Sequence, residues 1–125
     1  MTFNKKEIDI IKNAIKEYEY LETNIHHAIK EGNNIKLMLD YLVDNFDVDI
    51  ANCDFKSDYK YIDFNYGTLS CSILESSEMP TTFSKYISVW NDEDFYTIVD
   101  FIDIDELKKL IMEDETNESR NNSNL

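Results

Sequence analysis

After residue 47 the spacing of apolar residues changes from about 3.6 to 2, so the chain cannot be all-helical or all-strand. Before the switch, Ile8, Ile11, Ile15, Tyr18, Leu21, Ile25, Ala28 and Ile29 recur at three- and four-residue intervals, which predicts one long helix over residues 5–31. Asn4 and Glu7 have the spacing of a capping box at its entry. Gly32 stands where a left-handed cap ends such a helix, and Asn33 and Asn34 can turn the chain into a second helix running to Asp47. Its buried stripe is expected to be Ile35, Met38, Leu39, Leu42, Val43 and Phe46. The first helix would be roughly 40 Å long, more than the body of a domain this size, and is expected to bend or overhang the sheet.

Beyond the switch, residues 48–56 predict an irregular strand, and residues 59–66 and 68–75 flank Gly67 in a tight hairpin. Ile62, Phe64, Tyr66, Leu69, Cys71 and Ile73 then share the core face. Residues 76–82, with the only proline, form a loop, and residues 85–90 and 95–102 make a second hairpin across Asn91-Asp92-Glu93-Asp94. Asp103 and Glu106 open a short terminal helix carrying Leu107, Leu110 and Ile111. The expected fold is α+β: an N-terminal αα-hairpin and a C-terminal helix on a four- to five-stranded antiparallel sheet. Residues 1–113 form one domain, with the helical hairpin over 1–47, the sheet over 48–102 and the last helix over 103–113. Residues 114–125 lack apolar anchors and read as a disordered polar tail.

Composition decides what such a domain can do. The 125 residues carry 26 Asp plus Glu against 12 Lys plus Arg, a formal charge of -14, which argues against direct nucleic-acid binding and against docking on anionic membranes. Two glycines leave no material for a phosphate-cradling loop. Two cysteines without CxxC spacing, an N-terminus without a signal-peptide pattern and no apolar run of about 18 residues predict a soluble protein of a reducing, bacterial cytoplasm.

The charge is polarised along the chain. Residues 1–37 hold six lysines and six acids, so the whole excess lies in residues 38–125. Seven aspartates fall between Asp40 and Asp63, and a second group runs from Asp92 to Glu106. Asp40 and Asp44 share a helix face about 6 Å apart, and alternate strand residues lie about 6–7 Å apart, so these carboxylates form rows suited to a basic groove. Tyr59, Tyr61, Asp63 and Asn65 fall on the strand face opposite Ile62 and Phe64, setting tyrosines beside a carboxylate as in adhesive protein interfaces. The expected partner-binding residues are Asp40, Asp44, Asp58, Asp63, Asp92, Glu93 and Asp94, with Tyr59 and Tyr61 as anchors. The alternative use of the same charge is plain solubility.

No catalytic or metal constellation stands out. His26 and His27 point about 100° apart on a helix and cannot converge on one ion. Cys71 reads as a small buried hydrophobe, and Cys53 sits among aspartates that disfavour its thiolate. Asp92, Glu93 and Asp94 lack the glycine-bearing spacing of an EF-hand. No enzyme activity, metal or cofactor is expected.

The segments Leu69-Ser70-Cys71-Ser72-Ile73-Leu74, Tyr96-Thr97-Ile98-Val99, Asp103-Ile104-Asp105-Glu106-Leu107 and Asp114-Glu115 resemble the texture of acidic anti-CRISPR proteins from phages of Gram-positive bacteria. The resemblance implies a non-enzymatic inhibitor whose carboxylates occupy the basic nucleic-acid-binding surface of a Cas nuclease. From charge alone the expected partner is a basic, nucleic-acid-handling protein. The alternatives are an immunity protein or antitoxin that neutralises a basic nuclease toxin, and a subunit that oligomerises along its long helix.

Overall fold

A computed structural model describes residues 2–123, with side chains from Thr2 to Glu115. Helix α1 spans Lys5–Lys30 and opens with the expected capping box: the Glu7 amide donates to Asn4 Oδ1 (2.8 Å) and the Asn4 amide to Glu7 Oε1 (3.0 Å). It closes in a Schellman motif, with Gly32 at φ +102° donating to the Ile29 carbonyl and Asn33 donating to that of Ala28. Helix α2 spans Ile35–Asn45 behind the Asn34 cap. Its buried residues are Ile35, Met38 and Leu42, whereas Val43 is 56% exposed because the sheet touches only one narrow stripe of so short a helix.

The strands are β1 (Asp49–Asp54), β2 (Tyr59–Tyr66), β3 (Leu69–Ser76), β4 (Thr82–Phe83), β5 (Tyr86–Asn91) and β6 (Tyr96–Asp103), all antiparallel in the order β1-β2-β3-β5-β6. Six strands replace the expected four or five because the start of β5 is preceded by β4. Both lie on the same edge of β3, yet Ile73 opposes Phe83 while Leu69 opposes Val89, a register slip of two residues absorbed by Ser84 and Lys85. The β2–β3 hairpin closes between Tyr66 and Leu69 through Gly67 at φ +59°. A side chain at Gly67 would also meet the Glu17 carboxylate, which lies 2.9 Å from the position of a Cβ.

All three helices pack on one face of the sheet around a single core that includes Ile11, Leu21, Ile25, Met38, Ile62, Phe64, Leu69 and Ile73. Tyr18 stacks on Phe83 at 4.8 Å and donates its hydroxyl to the buried Ser84 carbonyl at 3.1 Å. Buried residues recur along α1 from Ile8 to Ala28, so the long helix does not overhang: α3 contacts it as well as the sheet, and α2 packs alongside. Helix α3 spans Ile104–Ser123, past the expected end at residue 113. There Asp114 accepts a hydrogen bond from the Phe3 amide (2.7 Å) and Glu115 pairs with Lys12, giving the polar segment two attachments to the N-terminal region. The side chains of residues 116–123, and residues 124–125, expected as tail, lie outside the described residues.

Candidate functional site

Because the helices occupy one face, the other face of the sheet is left open. Strand alternation places Tyr59, Tyr61, Asp63 and Asn65 of β2, Ser70 and Ser72 of β3, and Ser88 and Trp90 of β5 on it. Two concavities, of about 510 and 370 Å³, lie along β3 and have Asn65, Ser70 and Ser88 in common in their linings. The first is bounded by Asp49, Asp100 and Trp90, the second by Asp63, Tyr86 and Phe101. Among the described residues that line either one, three are aspartates and none is Lys or Arg.

The polar floor is tied together. Ser72 Oγ donates to Asp63 Oδ1 (2.6 Å), Ser70 Oγ to Asn65 Oδ1 (2.6 Å) and Ser88 Oγ to Asp100 Oδ1 (2.8 Å). Each serine fixes a neighbour's rotamer while leaving the second carboxylate oxygen of Asp63 and of Asp100 without a hydrogen bond among the described residues. The register between β5 and β6 shifts beside Ser88, and Phe101 there takes φ +50°, with its amide donating to Ser88 Oγ (3.0 Å). A left-handed conformation costs a bulky residue about 1–2 kcal/mol. Its result is a ring 72% exposed, stacked on Tyr86 at 4.8 Å and standing at the edge of the groove.

The sequence-predicted residues separate into three groups. Tyr59, Tyr61 and Asp63 stand together on the open face, with the two rings 6.4 Å apart and the Tyr61 hydroxyl accepting from Asn52 Nδ2 (3.0 Å); exposed Asp58 lies just before them in the β1–β2 turn. Asp40 and Asp44 are exposed on α2, in the helical layer. Asp92, Glu93 and Asp94 form the β5–β6 turn. There Asn91 Oδ1 accepts from the Glu93 and Asp94 amides, and Lys6 of α1 reaches Glu93 at 2.7 Å and Asp94 at 3.2 Å. These pairs tie the turn to α1 and neutralise part of its charge. The structure therefore does not gather the predicted acids into one patch.

Sequence reasoning missed Asp49, Tyr86, Trp90, Asp100 and Phe101 as members of a shared surface. The available signal was Asp100 between Val99 and Phe101: a carboxylate inside an apolar strand must face out, and its neighbours follow by parity except at the bulge.

Burial pushes the Cys71 thiol well above its ordinary range, with Asp63 and Glu17 adding to the shift, so it remains protonated. His27 pairs with Glu31 at 3.2 Å on the helix surface, and no cluster of three metal-ligating side chains occurs among the described residues. No described helix is long and apolar enough to cross a membrane. No protein-family model, curated protein or solved structure matches the chain.

Proposed function

We propose that the protein is a non-enzymatic acidic binding protein that inhibits a nucleic-acid-handling protein by covering its basic nucleic-acid-binding groove. The observation that carries this reading is the open sheet face: a concave surface holding three aspartates, no Lys or Arg among its described lining residues, and aromatic rings at its edges. A net charge of -14 would draw in a cationic surface over many ångströms, and the exposed rings would then supply the short-range contact that sets complex lifetime. The anti-CRISPR resemblance of the sequence puts a Cas nuclease first among partners of this kind.

The test is functional competition. The chain is used to capture a protein from bacterial lysate, and the captured protein is then offered its nucleic acid with and without added chain. Displacement of nucleic acid that weakens steeply as salt rises supports the proposal. Nucleic acid that stays bound within a ternary complex, or a captured surface that is neutral or acidic where it touches the chain, overturns it.

A further inference from the structure

We infer that the groove along β3 is a seat for arginine side chains carried on an extended segment of the protein partner. The inference rests on the proposed function and narrows it from a charged face to a side-chain chemistry. The argument turns on what lies next to the carboxylates. Exposed acids alone would attract lysine and arginine about equally, as point charges. Here the acids share their concavities with flat rings: Trp90, 39% exposed, lines the first together with Asp49 and Asp100, and the stacked Tyr86 and Phe101 line the second together with Asp63. A guanidinium is planar and weakly hydrated, so it can lie against a ring while its edge donates to a carboxylate, whereas a strongly hydrated ammonium gains mainly the Coulomb part.

The acids are also pre-set. Serine donors at 2.6 and 2.8 Å hold one oxygen of Asp63 and one of Asp100, so less rotamer freedom is lost when the second oxygen takes a donor. The two concavities adjoin at Asn65, Ser70 and Ser88 and follow β3, a succession that an extended chain can span with alternate side chains. The left-handed backbone at Phe101 fits the same purpose, since it turns an apolar ring out to the rim at a conformational cost.

The test uses the full chain, whose only tryptophan is Trp90, and two blocked peptides, hexa-arginine and hexa-lysine, at equal ionic strength. The arginine peptide should change Trp90 fluorescence and bind at least about fivefold tighter than the lysine peptide, the difference expected from one ring contact. Replacing the Tyr86–Phe101 ring pair by Tyr86→Leu with Phe101→Leu should abolish that preference, whereas paired Asp63→Asn and Asp100→Asn, nearly isosteric and still able to accept from the serines, should weaken both peptides, each with an unaltered circular dichroism spectrum. Equal affinity of the two peptides with Trp90 unperturbed overturns the arginine seat while leaving an anionic binding surface in place. Failure of both peptides to bind at 20 mM salt, a probe condition of low screening, overturns the seat and the proposed function together.

Discussion

Glu17 is the residue whose replacement should most clearly stabilise the protein. Its Oε2 atom is closed off from solvent and has no hydrogen-bond partner among the described residues, while its carboxylate lies against the Gly67 turn. Desolvation raises its pKa above the ordinary 4.5, so the folded state prefers the protonated acid. As pH rises from about the unfolded value through the raised folded one, the unfolded chain gives up the proton more readily and folding stability falls. A shielded, unpartnered polar atom costs about 1–3 kcal/mol; because the rest of the side chain is partly open to water, about 1 kcal/mol is the appropriate share here. Glu17→Gln removes the charge, and at pH 8 should raise stability by about 1 kcal/mol, or Tm by about 3–5 °C for a chain of this size. Urea unfolding followed by Trp90 fluorescence at several pH values between 5 and 8 reads the effect. The gain should shrink toward pH 5, where the wild-type acid is itself increasingly protonated. A gain independent of pH, or a loss of stability at pH 8, would refute the reasoning.

Gly67→Ala should cost about 1–2 kcal/mol from its left-handed backbone alone, and more with Glu17 in place; combining it with Glu17→Ala should recover the excess in a double-mutant cycle. Phe95 takes φ +58° with its ring 77% exposed, so Phe95→Asn, a residue that tolerates this conformation, should raise stability by about 0.5 kcal/mol in the same urea assay. A thiol reagent should modify exposed Cys53 at once and Cys71 only as the protein unfolds, giving one fast equivalent per native chain.

The elements that were legible in the sequence are those whose pattern has a local cause. The Asn4–Glu7 capping box, the Gly32 cap and the Gly67 hairpin each follow from residues within a few positions, and they bracket α1 and the β2–β3 pair as read. The parity of β2 likewise put Tyr59, Tyr61 and Asp63 on the open side. Two residues of β4 carry too little pattern to be seen, and their pairing with Ile73 and Leu74 is a matter of tertiary register. The site itself was only partly readable. Linear charge counting groups Asp92, Glu93 and Asp94, but Lys6, far away in sequence, meets them in space. The same counting separates Asp63 from Asp100, which the sheet brings to adjoining concavities on one face. The bulge that turns both Asp100 and Phe101 outward breaks the alternation by which their sides would have been assigned.

The most direct measurement compares two variants of equal charge: Asp49→Asn/Asp63→Asn/Asp100→Asn on the open face, and Asp40→Asn/Asp44→Asn/Asp47→Asn, exposed on α2 and in the segment that follows it. Association rates with the captured basic protein are taken by stopped flow at low salt. A slowing of about tenfold in the open-face variant, against less than about twofold in the other, is expected if the partner docks on the sheet. Equal slowing in both, or slowing only in the helical variant, would show that the open face is not the surface that binds.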